Sequence, residues 1–183
     1  MPNPTGEMRV MKGYIQVYTG NGKGKTTAAL GQAVRSAGAG MRTFIVQLMK
    51  EYPYSELDGL APLADAITIE QYGGDAFVYK GEPPGADEKA KAAEALARAV
   101  EVMKSGEYDV VVLDEVCAAI YFELITAADV VGVLDVKPGA VELVLTGRYC
   151  PGEIIERADL VTEMREVKHY YQDGVKARKG IES

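Results

Sequence analysis

The chain has 183 residues, enough for one domain with a sizeable core, and its 48% hydrophobic and 26% charged content is ordinary for a soluble globular protein. A net charge of −7 speaks against broad nucleic-acid binding, which needs a basic face, and no apolar run approaches membrane-spanning length. The two cysteines, Cys117 and Cys150, make neither a disulfide framework nor a zinc-ligand spacing, and no basic stretch followed by an apolar one marks a secretory signal, so a reducing cytoplasm is expected.

Residues 1–12, with two prolines and a glycine, read as an N-terminal arm ahead of a single domain over 13–183. Residues 13–18 form a first strand. The run Thr19, Gly20, Asn21, Gly22, Lys23, Gly24, Lys25, Thr26, Thr27 follows, and a helix to Ala37 leads out, ended by Gly38 and Gly40. Strand, glycine loop, Lys-Thr and helix is the layout of a phosphate-binding P-loop. Glycines let backbone N–H groups close on anionic oxygens, and the helix start adds unsatisfied donors and the positive end of its dipole. Lys25 is placed to reach the outer phosphates and the Thr26 hydroxyl to ligate Mg²⁺. The helix dipole contributes only about 0.3–1 kcal/mol, against roughly 8 kcal/mol for micromolar binding. The N–H cradle, Lys23, Lys25 and a metal must therefore act together. One departure stands out: Gly20 and Gly24 enclose three residues, where the usual pattern has four. Arg35, near the helix end, suits either the dipole or a substrate contact.

Residues 42–49 make a second buried strand, 55–63 a short helix and 66–72 a third strand, with Lys50 to Ser55 a polar-aromatic loop between. Residues 73–85 are a long Gly- and Pro-rich loop carrying Phe77 and Tyr79, which pack onto the core or serve function. The longest helix spans 86–104, and Ala93, Leu96, Ala97, Val100 and Met103 read as its buried face. Residues 108–113 form an apolar strand that delivers Asp114 and Glu115 to a sheet edge, the second mark of a P-loop enzyme. The two carboxylates point in different directions, so one of them meets the metal directly. Helices over 116–124 and 127–134, the second capped by Thr126, precede a strand over 141–146 that ends in Thr146-Gly147-Arg148. Arg148 is a phosphate clamp or a partner of an acidic residue. A helix over 151–158, a strand over 160–167 and a polar tail over 168–183 with the only histidine, His169, complete the chain. Alternating strands and helices imply an α/β fold: a single three-layer αβα domain, RecA-like, on a mostly parallel sheet of about six strands.

The chain resembles the P-loop type of cob(I)alamin (corrinoid) adenosyltransferase. The resemblance rests on the run from Thr19 to Ala29, on Leu113-Asp114-Glu115, on Leu145-Thr146-Gly147-Arg148, and on Val167-Lys168-His169 with Gly174 to Ala177 and Gly180-Ile181. The shortened P-loop is itself a mark of that family. The resemblance implies transfer of the 5′-deoxyadenosyl group of ATP to the Co(I) of a reduced corrinoid, with triphosphate leaving. ATP is turned so that C5′ faces the acceptor, and cobalt supplies the nucleophile. Gly20 to Thr26 would cradle the triphosphate, Thr26 with Glu115 (or Asp114) would hold Mg²⁺, and Arg35 would touch the nucleotide. Catalysis is expected to rest on Lys25 and Glu115. The family also implies a homodimer, a flavoprotein as the source of reduced cobalt, and an N-terminal arm over the site. Well-known members carry a Phe-Thr-Trp segment that excludes the lower axial ligand of cobalt; this chain has no Trp, and Phe77-Val78-Tyr79 stands in the corresponding stretch. The competing readings are a nucleotide or nucleoside kinase and an ATPase switch. No Arg between Arg42 and Arg98 supplies a kinase lid, and two cysteines do not make a four-cysteine zinc site.

Overall fold

The computed structural model describes residues 12–50, 54–73 and 84–182. Most of the arm and both Phe77 and Tyr79 lie outside them. Six strands, β1 (Ile15–Thr19), β2 (Thr43–Leu48), β3 (Ile67–Tyr72), β4 (Val110–Asp114), β5 (Glu142–Thr146) and β6 (Leu160–Glu163), form one sheet in the order β3-β2-β4-β5-β1-β6. Every neighbouring pair is parallel. A parallel sheet must be covered on both faces, and the strands accordingly read as near-continuous Val/Ile/Leu runs.

Side-chain alternation divides these runs between two cores. Phe44, Val46, Val111, Leu113, Leu143 and Leu145 face one side, with residues of α3 (Ala86–Ser105), α4 (Val116–Tyr121), α5 (Ala127–Asp135) and α6 (Gly152–Arg157). Ile45, Val110, Val112 and Val144 face the other, against Ala29 and Ala33 of α1 (Lys25–Gly38) and against Leu60 of α2 (Ser55–Leu60). This is the three-layer arrangement the sequence implies.

Three local expectations change. The helix after the glycine loop starts at Lys25, two residues earlier than its apolar pattern suggests, because Gly24 in the left-handed region (φ 115°) turns the chain directly into it. The last strand stops at Glu163, since Met164 leaves the ladder to bond the glycine loop. The buried stripe of α3 is Ala92, Ala95, Leu96, Ala99, Val102 and Met103. Ala93 and Ala97 are exposed and Val100 half-buried. An alanine-rich helix offers more than one stripe at three- and four-residue spacing, and the bulk of Val102 and Met103 selects the observed one. The displaced stripe lines a groove of about 700 Å³ with Leu124, Ile125, Val133 and Val136.

The chain order brings the ends of β1 and β4 near each other with only β5 between them. The carboxyl ends of β1, β4 and β5 thus carry the glycine loop, Asp114-Glu115 and Gly147-Arg148 to one edge of the sheet, the usual ligand side of open α/β sheets.

Candidate active site at the carboxyl edge of the sheet

The glycine loop is braced from below. Gly22 N–H donates to Met164 O at 2.6 Å, and a Cβ at Gly20 (φ 98°) would lie 2.5 Å from that same carbonyl. This close approach explains why glycine is needed at both positions and why the loop is short: it is pressed onto the chain leaving β6. The Gly22 N–H is therefore committed within the fold. Thr19, predicted in the cradle, is buried, and its Oγ1 accepts from Cys150 N–H at 3.3 Å.

A cleft of about 680 Å³ opens over the loop. Gly22 to Thr27 lie along it, with Lys50, Tyr54, Ser55 and Glu56 on the β2 side, Glu115 and Arg148 at the strand ends, and His169, Gly180, Ile181 and Glu182 from the C-terminal segment. The Lys25 ammonium donates to Gly22 O at 2.7 Å. Burial lowers its pKa, opposed by Glu115 and Asp114 and assisted by Arg148.

Asp114, 1% exposed, is a hub rather than an open ligand. Its Oδ1 accepts from Thr26 Oγ1 at 2.9 Å and from Thr146 Oγ1 at 2.7 Å. Its Oδ2 accepts from Lys50 Nζ at 2.9 Å and from Gln47 Nε2 at 3.4 Å. The β2–β4 register sets Gln47 directly beside Asp114. Glu115 sits in the left-handed region (φ 62°), its N–H donating to Thr146 Oγ1 at 2.9 Å. Among the described residues its carboxylate takes no hydrogen bond, yet it lines the cleft. Burial and then Asp114 raise its pKa; Lys50, Lys25 and Arg148 oppose the rise. The structure thus separates the acidic pair: Asp114 inward, Glu115 to the cleft.

Arg35 is exposed in the last turn of α1 and is not among the residues lining the cleft. Its ten-residue separation from Lys25 along a helix amounts to roughly 15 Å. It keeps the place the dipole argument gives it. Asn21 and Gly20 also lie off the cleft lining, while Lys23 Nζ donates to Ile181 O at 2.7 Å and ties the C-terminal segment to the loop. His169 Nδ1 accepts from Tyr171 N–H at 3.1 Å, which places its proton on Nε2. Cys117 and Cys150 are free thiols, and Cys150 Sγ donates to Pro151 O at 3.8 Å.

Sequence reasoning missed two contributors. Lys50 sat unremarked in a polar loop; its position directly after an apolar strand neighbouring the Asp-Glu strand was the available signal. The return of the tail to the glycine loop left no mark in periodicity, and only the matching Gly180-Ile181 pair hinted at it.

Comparison with known proteins then supplies the chemistry that geometry alone does not name. A family model described as ATP:corrinoid adenosyltransferase BtuR/CobO/CobP matches residues 11–183. The chain is 36% identical over 172 residues to the corrinoid adenosyltransferase CobA of Salmonella typhimurium, covering 93% of this chain and 86% of that protein. It is equally similar, with the same coverage, to the corrinoid adenosyltransferase of Escherichia coli K12. It is 37% identical over 180 residues to that of a Sinorhizobium species, covering 93% of this chain and 80% of that one. With the match running through the glycine loop, the Asp-Glu strand and the C-terminal segment, the chain belongs to the ATP:corrinoid adenosyltransferase family.

Proposed function

We propose that this protein transfers the 5′-deoxyadenosyl group of ATP to the Co(I) centre of a reduced corrinoid, in adenosylcobalamin biosynthesis or salvage. The Co–C5′ bond forms with the electron pair of cobalt as the C5′–O5′ bond breaks, and inorganic triphosphate leaves with the released pair. The observation that carries the reading is the single cleft where Lys25, Arg148 and Glu115 meet above the braced glycine loop, in a chain of this family. The acceptor brings its own nucleophile, so the protein's tasks are alignment and stabilisation of charge on the leaving group.

The P-loop residues, Glu115, Asp114 and Arg148 each have a part in that scheme. The N–H groups from Lys23 to Thr27 and the Lys25 ammonium hold the triphosphate; Lys25 exchanges Gly22 O for a phosphate oxygen. Mg²⁺ fits the donor set at Thr26 and Glu115. The Thr26 hydroxyl gives its proton to Asp114 and keeps lone pairs for a cation, and the Glu115 carboxylate is the under-compensated acid of the cleft. Such a site matches the preference of Mg²⁺ for one or two carboxylates plus phosphate oxygens, and the metal would neutralise charge on the triphosphate. Asp114 fixes Thr26 and stays out of direct ligation. Arg148 is a clamp on the phosphates.

The same reading includes a homodimer, a flavoprotein supplying Co(I), a cytoplasmic setting, and residues 1–12 as an arm near the site. Displacement of the lower axial ligand is assigned to Phe77 or Tyr79; a double Ala variant with undiminished activity on complete cobalamin would refute this. The function is tested by an anaerobic assay with ATP, Mg²⁺ and chemically reduced corrinoids of increasing completeness. Triphosphate formed only with corrinoid, together with the visible spectrum of the adenosylated product, is expected. ADP formed in its place would return the chain to the kinase or ATPase class.

A further inference from the structure

One buried cation of the cleft has no part in the scheme above. Lys50 follows β2, where Met49 at φ 60° turns the chain toward the cleft edge. Its side chain is 11% exposed, paired to Asp114 at 2.9 Å and Glu56 at 3.4 Å, with Nζ 4.9 Å from the centre of the Tyr54 ring. A lysine seldom sits this deep unless it is paired, and Lys50 is paired to two carboxylates. Asp114 alone does not demand it, since Thr26, Thr146 and Gln47 already offer that carboxylate three neutral donors. An ammonium has three N–H groups, and the two carboxylates take two.

We propose that Lys50 is a catalytic residue that donates its third N–H to the triphosphate, from the flank opposite the P-loop lysine. The assignment rests on reading the cleft as the triphosphate site. The sheet order puts β2 on one side of the Asp114 strand and the P-loop strand on the other, so Lys50 and Lys25 reach the shared cleft from opposite flanks. Lys50 Nζ and Thr26 Oγ1 hold opposite oxygens of the same carboxylate. Asp114 thereby fixes the hydroxyl and the ammonium with respect to each other. When the C5′–O5′ bond breaks, its electron pair stays on the triphosphate, which gains one negative charge. A cation already held in place stabilises that gain without reorganising. Glu56 is then a positioning residue acting through Lys50.

The test is calorimetric titration with inorganic triphosphate, in EDTA and without corrinoid, of the wild type and of Lys50→Met, Lys50→Arg, Asp114→Asn and the Asp114→Asn/Lys50→Met double variant. Lys50→Met is expected to weaken binding at least about tenfold, as for loss of a charged hydrogen bond, and Lys50→Arg to restore most of it. The double variant removes the buried pair together, so it remains a folded reference if Lys50→Met alone does not fold. It is expected to bind at least about fivefold more weakly than Asp114→Asn. Equal affinities of those two proteins would show that Lys50 only neutralises Asp114, and would overturn the proposal. Absence of any triphosphate binding by the wild type would instead overturn the reading of the cleft, and the Lys50 assignment with it.

Discussion

Thr26 and Asp114, 88 positions apart in sequence, are joined by a 2.9 Å hydrogen bond in which the threonine hydroxyl is the donor. The direction of that bond leaves the hydroxyl lone pairs for the Mg²⁺ proposed above. Thr26→Val removes donor and ligand together. ATP affinity with Mg²⁺ present is expected to fall at least about tenfold, with a smaller change in EDTA, and Thr26→Ser should recover it. Calorimetry with and without the metal measures both.

Glu115 gives a pH dependence of defined sign. Burial and then Asp114 raise its folded pKa above the unfolded value near 4.5. Between those two values the folded protein holds more protons than the unfolded chain, so this group makes stability fall as pH rises through the window and level off above it. Glu115→Gln escapes that cost. Its thermal midpoint in EDTA should exceed that of the wild type at neutral pH, and the difference should fade below about pH 4. A variant less stable than the wild type at pH 7 would contradict this account.

Gly147 stands between β5 and Arg148 at φ 134°, and a Cβ there would lie 2.7 Å from Ala118 N and 2.9 Å from Cys117 Cβ. Backbone and a buried core residue cannot yield easily. Gly147→Ala is expected to destabilise by roughly 2–4 kcal/mol in chemical denaturation and to lower transfer activity by moving Arg148.

Thr126 and Asp129 form a reciprocal capping box at the start of α5, on the surface and away from the cleft. Thr126→Ala should cost about 1 kcal/mol of stability and leave ATP affinity unchanged. Urea unfolding with a parallel binding measurement checks both halves.

The bond from Lys23 Nζ to Ile181 O is expected to restrain the C-terminal segment against opening. In Lys23→Met, trypsin should cut at Arg178 or Lys179 at least about threefold faster than in the wild type, read by intact-mass spectrometry.

Much of this was legible in the residues. Buried β-branched runs separated by helices demanded a parallel sheet, and the spacing of the glycine loop and the downstream Asp-Glu pair put both at one edge of it, where the structure has them. The rest depended on contacts that periodicity does not encode. The short loop was visible as an irregularity, but its cause is Met164 O, a backbone atom on the far side of the chain. Arg35 was tied to the nucleotide only through the resemblance, and it stands in the last turn of α1, off the cleft lining. The alanine-rich α3 misled by one position, because small residues leave the buried stripe ambiguous until their larger neighbours choose it.

Three of the four non-glycine residues in left-handed geometry among the described residues have a bearing on engineering. Met49, Glu115 and Tyr149 take it just past the ends of β2, β4 and β5, with φ near 60° in each. Such a backbone costs roughly 1–3 kcal/mol per residue for an ordinary side chain. Replacement by Gly or Asn would relax it, so a screen for heat tolerance should be drawn to these positions first. At Glu115, where metal binding is proposed, a hardier protein would then be a duller enzyme. Libraries selected on melting temperature alone would therefore enrich inactive clones, unless that position is held fixed.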